Sequence, residues 1–133
     1  MKLIEKVTAY KALGEIMKED WDFAFIYPLM GLMRLLEGDY ALFCNEEMKL
    51  VAAYGAKESN GKVALDADGV FSFADEESMN RYQQKHKELE ALITDAPERI
   101  SLPAPGKMKG AWLAAIAPFC SFQSFEEGVF SDE

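Results

Sequence analysis

Between residues 25 and 54 the apolar side chains Phe25, Leu29, Leu32, Leu36, Tyr40, Phe43, Leu50 and Tyr54 recur at steps of three, four or a sum of the two. That period draws one apolar stripe down a single long helix. No other stretch carries so long a regular period, so the rest of the chain must pack against it. Such a helix would run roughly 45 Å at 1.5 Å per residue, longer than a compact domain of this size needs. It is expected to project, or to pair with something along its length.

A chain of 133 residues reads as one domain, able to bury a core without covalent or metal staples. Half of it is hydrophobic, which excludes disorder of the whole chain. The net charge of -9 disfavours nucleic-acid binding through phosphate neutralisation. Glu126, Glu127, Asp132 and Glu133 close the chain with no basic partner. Residues 1–122 are therefore expected to form a single domain, and residues 123–133 an acidic, disordered tail. Cys44 and Cys120 lack the close spacing of a metal knuckle or redox pair and read as free, reduced thiols. Charge follows the first methionine at once (Lys2, Glu5, Lys6), unlike a secretory signal. The longest apolar runs, 23–33 and 111–122, are too short to span a bilayer. The expectation is a soluble, cytoplasmic protein.

A first helix is predicted over residues 3–18, with Leu3, Val7, Tyr10, Leu13 and Met17 on its inner face and Lys2, Lys6, Lys11, Glu15 and Lys18 elsewhere. The short connection Glu19-Asp20-Trp21-Asp22 makes it an antiparallel neighbour of the long helix. The long helix begins near Asp22 and bends at Pro28, or starts afresh at Pro28. After Pro28 it is expected to be continuous. Gly31 and Gly38 lie inside it. Each costs about 1 kcal/mol against alanine, so close helix contact is expected there. Glu47 is the one charge on the stripe and marks where the helix leaves the core; Gly55 is expected as its C-terminal glycine. Residues 62–65 and 70–73 flank Asp66-Ala67-Asp68-Gly69, a hairpin signal. Asp75 caps a third helix bearing Met79, Tyr82, His86, Leu89 and Ile93. A third strand is expected at 98–102, then a short helix at 110–117 that stops at Pro118, with Phe119, Phe122 and Phe125 folding back on the core.

Several arrangements invite a chemical reading. Asp66, Asp68 and Glu77 suggest a calcium loop, but a frame starting at Asp66 puts Val70 and Phe71 at positions 5 and 6, where a ligand and a glycine are required. A frame with Gly69 at position 6 starts on Ala64. A plain turn is expected, with no metal and no cofactor. His86, the only histidine, falls on an apolar stripe, where packing is its expected role rather than proton transfer. Cys44 sits among Leu42, Phe43 and Met48 and reads as core rather than as half of a thiol–imidazole pair with His86. Gly106-Lys107-Met108-Lys109-Gly110 lacks the spacing and the Lys-Ser/Thr pair of a phosphate loop. No catalytic residue is assigned.

Three stretches, KLVAAYGAKESNGK, GVFSFADEESMNRYQQKHKELEALI and RISLPAPGKMKGAWLAAIAPFCSF, carry a resemblance. Their order is a long helix closing on Tyr54-Gly55, an Asn60-Gly61 loop, a hairpin, a helix with Glu88-Leu89 near its end, a strand and Ile116-Ala117-Pro118-Phe119. This resembles a family of small bacteriophage and prophage proteins of unknown function, over residues 1–122. Pro28 and the Pro103/Pro105 pair depart from the pattern. The resemblance implies action in a bacterial host's cytoplasm and carries no catalytic residues over.

The expected fold is α+β: an antiparallel helical hairpin with one long helix, a third packed helix and a small antiparallel β-sheet. The expected role is non-enzymatic, through contact with a protein partner or a second copy, without nucleic acid or membrane. A first helix about half the length of the long one covers only part of the stripe. Phe43, Met48, Leu50, Val51 and Tyr54 are therefore the expected contact residues; Leu50 and Val51, being adjacent, point about 100° apart. Two alternatives stand beside this: an acidic inhibitor that mimics DNA toward a host nucleic-acid-binding protein, and a small enzyme using Cys44 or His86.

Overall fold

The computed structural model describes residues 1–104 and 106–122. The acidic tail, with Phe125, lies outside the described residues. In chain order the elements are α1 (Leu3–Ile16), α2 (Phe23–Tyr54), α3 (Glu76–Glu90), β1 (Ile100–Leu102), α4 (Gly110–Ile116) and β2 (Cys120–Phe122), with a 3-10 turn, Ala117–Phe119, before β2.

The stripe forms one helix. α2 starts at Phe23 and runs through Pro28 without a fresh start. The proline has no N–H to give the carbonyl of Ala24, so one rung of the ladder is missing. The first turn closes on Asp22, whose carbonyl accepts from the amides of Phe25 and Ile26, both at 3.0 Å. Gly55 ends the helix, but not in the left-handed conformation usual for such a glycine: its φ is -73° and ψ 150°. Its reason is space. A Cβ there would lie 2.7 Å from the carbonyl oxygen of Val51 and 3.3 Å from Val63 Cγ1.

α1 lies beside α2, and both contribute to the main core. Leu13, Ile16, Phe25, Leu29, Leu32 and Leu36 meet Leu102, Ile116, Phe119 and Cys120 there. A second, smaller cluster holds Leu3, Val7 and Phe43, with Tyr40 and Leu89 against it. Lys6, expected on the outer side of α1, is instead buried, and its Nζ donates to Asp39 Oδ2 at 2.8 Å. The pair explains why the charge is tolerated: a buried ammonium needs an opposite charge and a hydrogen bond. Tyr10 stacks on Tyr40 beside it at 4.3 Å.

The sheet differs from expectation. β1 and β2 pair in parallel, Ile100 opposite Cys120 and Leu102 opposite Phe122. Two strands joined through a helix have a crossover to return along the same direction, which a tight hairpin cannot provide. α4 ends before Pro118, as expected, and the proline sits at the start of the 3-10 turn, where a missing N–H costs nothing. The expected hairpin contributes only isolated antiparallel bridges, Gly55 with Phe73, Lys57 with Val63 and Leu65 with Phe71. Its turn is well formed. Asp66 Oδ1 accepts from the amides of Asp68 and Val70, both at 2.9 Å, and Gly69 takes φ +77°.

α3 begins at Glu76, with the Asp75 side chain accepting from the Ser78 amide, which holds that carboxyl below its usual pKa. It has no fully buried residue. Three devices hold it. Its rings join an aromatic chain in which Phe71 and Phe73 meet Tyr82 at 5.6 and 5.2 Å and Tyr82 stacks on His86 at 5.4 Å. His86 also meets Phe43 of α2 edge-on. Beyond its end, Ile93 bridges to Lys2, and the Leu3 amide donates to the Leu92 carbonyl at 2.8 Å.

Candidate functional site

His86 stands between α2 and α3. Its Nε2 lies 2.8 Å from Glu47 Oε2 and its Nδ1 3.4 Å from Glu90 Oε1. The sequence showed Glu47 as a charge on the stripe without showing its partner. Nothing but a known helix register would have paired residues 39 positions apart. Both imidazole nitrogens face carboxylates, so neither is turned toward an open cleft where a substrate proton could reach it. Tyr82, packed on the ring, has its hydroxyl pKa raised by burial first and by Glu47 and Glu90 next. The arrangement clamps two helices together.

Cys44 is half-buried, and among the described residues no hydrogen bond or ion pair joins it to His86. Its partner is Tyr40, one helical turn away, whose hydroxyl pKa is raised first by that thiol and then by burial. Cys120 is buried in the main core. Burial pushes its thiol up to about 11, against a weaker opposing pull from Arg99. A thiol so raised is a poor nucleophile near neutrality. Among the described residues, no polar contact thus links the two residues proposed for chemistry.

Asp66 spends its carboxylate on its own turn, as described above. Lys107 and Lys109 border an open concavity of about 430 Å³ with Trp21, Trp112, Glu19 and Asp20. Lys109 Nζ sits 4.8 Å from the Trp112 ring centre, a cation–π contact. The two carboxylates offset the two lysines, so the hollow has no strong preference for an anion.

The five expected contact residues separate. Phe43 is buried, in the second core cluster. It is removed from the contact surface because Leu3 and Val7 of α1 reach that far along α2. Met48 is 69% exposed, while Leu50, Val51 and Tyr54 are half-buried. Leu50 lines an apolar groove of about 380 Å³ between α2 and α3 with Leu42, Leu89 and Leu92.

The larger open surface lies elsewhere. Phe23 is 87% exposed, Tyr27 77% and Leu35 62%, with Met30 and Leu42 also exposed. Phe23 and Tyr27 lie one turn apart on one side of α2, while Met30 borders a hollow with Tyr10 and Met17 of α1 and Leu42 the groove toward α3. The signal was in the sequence. Residues 23–36 hold one charge, Arg34, so this part of the helix is apolar nearly all round rather than striped. Gly31 and Gly38 lie on the same outer side, and an added Cβ at either would meet nothing within 4 Å. The expected close helix contact at these glycines is therefore absent within the described residues of the chain.

Among the described residues, several carboxylates have a cation beside them. Arg81 pairs with Glu77, Lys85 with Glu88, Lys49 with Glu46 and Lys18 with Glu15. Such pairing argues against the DNA-mimic alternative, which needs carboxylates free of local cations. Among the described residues, no helix is long and apolar enough to cross a membrane.

No protein-family model, curated protein or solved structure matches the chain.

Proposed function

We propose that this is a non-enzymatic accessory protein that works by protein–protein contact along α2. The phage or prophage setting, and with it a bacterial cytoplasm, rests on the sequence resemblance alone. The contact reading rests on one observation: α2 leaves the large apolar side chains of Phe23, Tyr27, Leu35, Leu42 and Met48 in water. Large apolar side chains left exposed in this number on one helix favour a site of association. Enzymatic work by Cys44 or His86 has no comparable support, because the two are not paired and His86 faces two carboxylates.

The test is photo-crosslinking from position 27 with a photoreactive residue in place of Tyr27, in cells of the source organism. A discrete adduct of defined mass, absent when the same group is placed at exposed Gln83 on α3, is expected. Equal or absent labelling at the two positions would end the proposal.

A further inference from the structure

We propose that the seating of α3 on α2 is proton-dependent: the His86 imidazolium holds the two helices together, and loss of its proton loosens α3 while α1 and the main core stay in place. The device goes beyond the protein-contact reading above and does not depend on it.

Little else fixes the middle of α3, which buries no residue fully. Its two ends are tied through backbone. Ahead of it Phe73 bridges to Gly55, and beyond it the Leu3 amide donates to the Leu92 carbonyl and the Thr94 amide to the Met1 carbonyl at 2.7 Å. Between those ties, and among the described residues, His86 with Glu47 is the one hydrogen bond or ion pair that joins α3 to α2. The other ion pairs of α3 lie within the helix, Arg81 with Glu77 and Lys85 with Glu88. Leu89 still rests against the cluster of Leu3, Val7 and Phe43, so α3 loosens rather than departs.

The proton sets the sign. An imidazolium has two N–H donors and a positive charge, whereas a neutral imidazole keeps one donor and turns its other nitrogen into an acceptor. Nε2 lies 2.8 Å from Glu47 Oε2, and Nδ1 lies 3.4 Å from Glu90 Oε1, at ion-pair distance. Among the described residues, neither carboxylate has another cation that close. The charged ring therefore donates to Glu47 and attracts Glu90. The neutral ring, in either tautomer, sets a lone pair toward one carboxylate and offers no charge to either. Its side chain is 21% exposed, so water replaces the lost contact only in part. Carboxylates are ordinarily ionised across the span in which an imidazole changes charge. Seating is thus firm at the acid side of that span and weakens as pH rises.

The surrounding groups leave that sign unchanged. On α3, Tyr82 stacks on the ring, and its hydroxyl is raised first by burial and then by Glu47 and Glu90, so it stays protonated. On α2, Phe43 meets the ring edge-on, and the Tyr40 hydroxyl is raised first by its bond to Cys44 and last by Glu47. The hairpin brings the uncharged rings of Phe71 and Phe73 against Tyr82. From α1, Leu3 and Val7 pack with Phe43, while Lys6 is paired with Asp39. When α3 loosens, Phe43 loses the ring at its edge, and the groove of Leu42, Leu50, Leu89 and Leu92 opens.

Native-state hydrogen exchange on the full chain between about pH 5.5 and 8 tests this. Each amide's rate is divided by that of an unstructured chain at the same pH. Protection in α3 is expected to fall about two- to fivefold from the acid to the alkaline end, the scale of a partly exposed charge pair. The α1 amides beside the main core are expected to stay unchanged. His86→Gln, which keeps a hydrogen-bonding side chain without the titration, is expected to show no fall, and Glu47→Gln a smaller one. Protection in α3 that is flat or rises with pH overturns the proposal, as does an undiminished fall in His86→Gln. A fall shared equally by α1 and α3 overturns local loosening. If His86→Gln leaves the α1 amides unprotected, Glu47→Gln decides instead, and a fall as large as that of the unaltered chain overturns the proposal.

Discussion

Over residues 25–36, α2 sets Phe25, Leu29, Leu32 and Leu36 against α1 and the β1-to-β2 end of the chain, and all four are buried. Over residues 43–54 it buries only Phe43, and its neighbour α3 buries nothing fully. The same helix is thus anchored by hydrocarbon at one end and by mixed contacts at the other. There Glu47 meets His86, the Phe71, Phe73 and Tyr82 rings pack at tilted angles beside them, and Gly55 lets the bridged loop approach closely. The difference comes from what surrounds each end. α1, α4 and the parallel pair enclose the first from several sides, whereas α1 runs out at Leu3 beside Phe43. Apolar area removed from water is the main stabilising term, so the two ends should respond unequally to damage.

The largest contrast is expected between Leu29→Ala and Leu50→Ala. Leu29 is fully buried, and its truncation should cost about 2–5 kcal/mol of global stability in urea titration. Half-buried Leu50 should cost about 1 kcal/mol or less. Equal losses would break the contrast. Next comes the polar tie between α1 and α2. Asp39→Ala should cost about 1–3 kcal/mol, because it strands the buried Lys6 ammonium, while Lys6→Met should be nearly neutral. The opposite order would show that the ammonium finds water without its partner.

At the far end, Gly55→Ala should cost about 1–2 kcal/mol, since the new methyl meets a backbone oxygen that cannot swing aside. Hydrogen exchange should quicken in the loop and α3 and remain unchanged in α1. A uniform change would mean that the two ends unfold as one unit. The smallest effect concerns the thiols. A neutral maleimide reagent should label half-buried Cys44 in the native protein and reach buried Cys120 only on unfolding. The folded Cys120 value, about 11, exceeds its ordinary 9.0, so its contribution is complete below pH 9 and is lost as pH rises through 11. A Cys120→Ala variant should lose less stability over that interval. Parallel loss in both proteins would refute the assignment.

Much of the scaffold was legible because it depends on local rules. The period of apolar residues, the Asp75 cap and the Asp66–Gly69 turn all act within a few positions, and the structure has helices at the expected places. The parallel pairing of Ile100 with Cys120 was not legible, since direction depends on the α4 crossover and not on either strand's alternation. Lys6 with Asp39 and Glu47 with His86 were hidden for the same reason, as partners far apart in sequence that meet only once helix registers are known. Phe43 was misplaced among contact residues because the reach of α1 was not visible. The outer face of α2 was the reverse case. Phe23, Tyr27 and Leu35 stand in the sequence, but they lie off the inner stripe, and the stripe's period does not say which off-stripe residues stay in water.

The parallel pair also has a consequence in time. α1 and α2 are joined by six residues, so their contacts can form early, whereas β1 and β2 pair residues 20 positions apart with a helix between them. A strand pairing that waits for an intervening helix to settle carries a larger closure entropy and belongs late on the route to the native state. Leu102→Ala should then show in stopped-flow kinetics as faster unfolding with little change in refolding. The segment that seals the hydrocarbon end of the molecule would be the last to arrive and the first to leave.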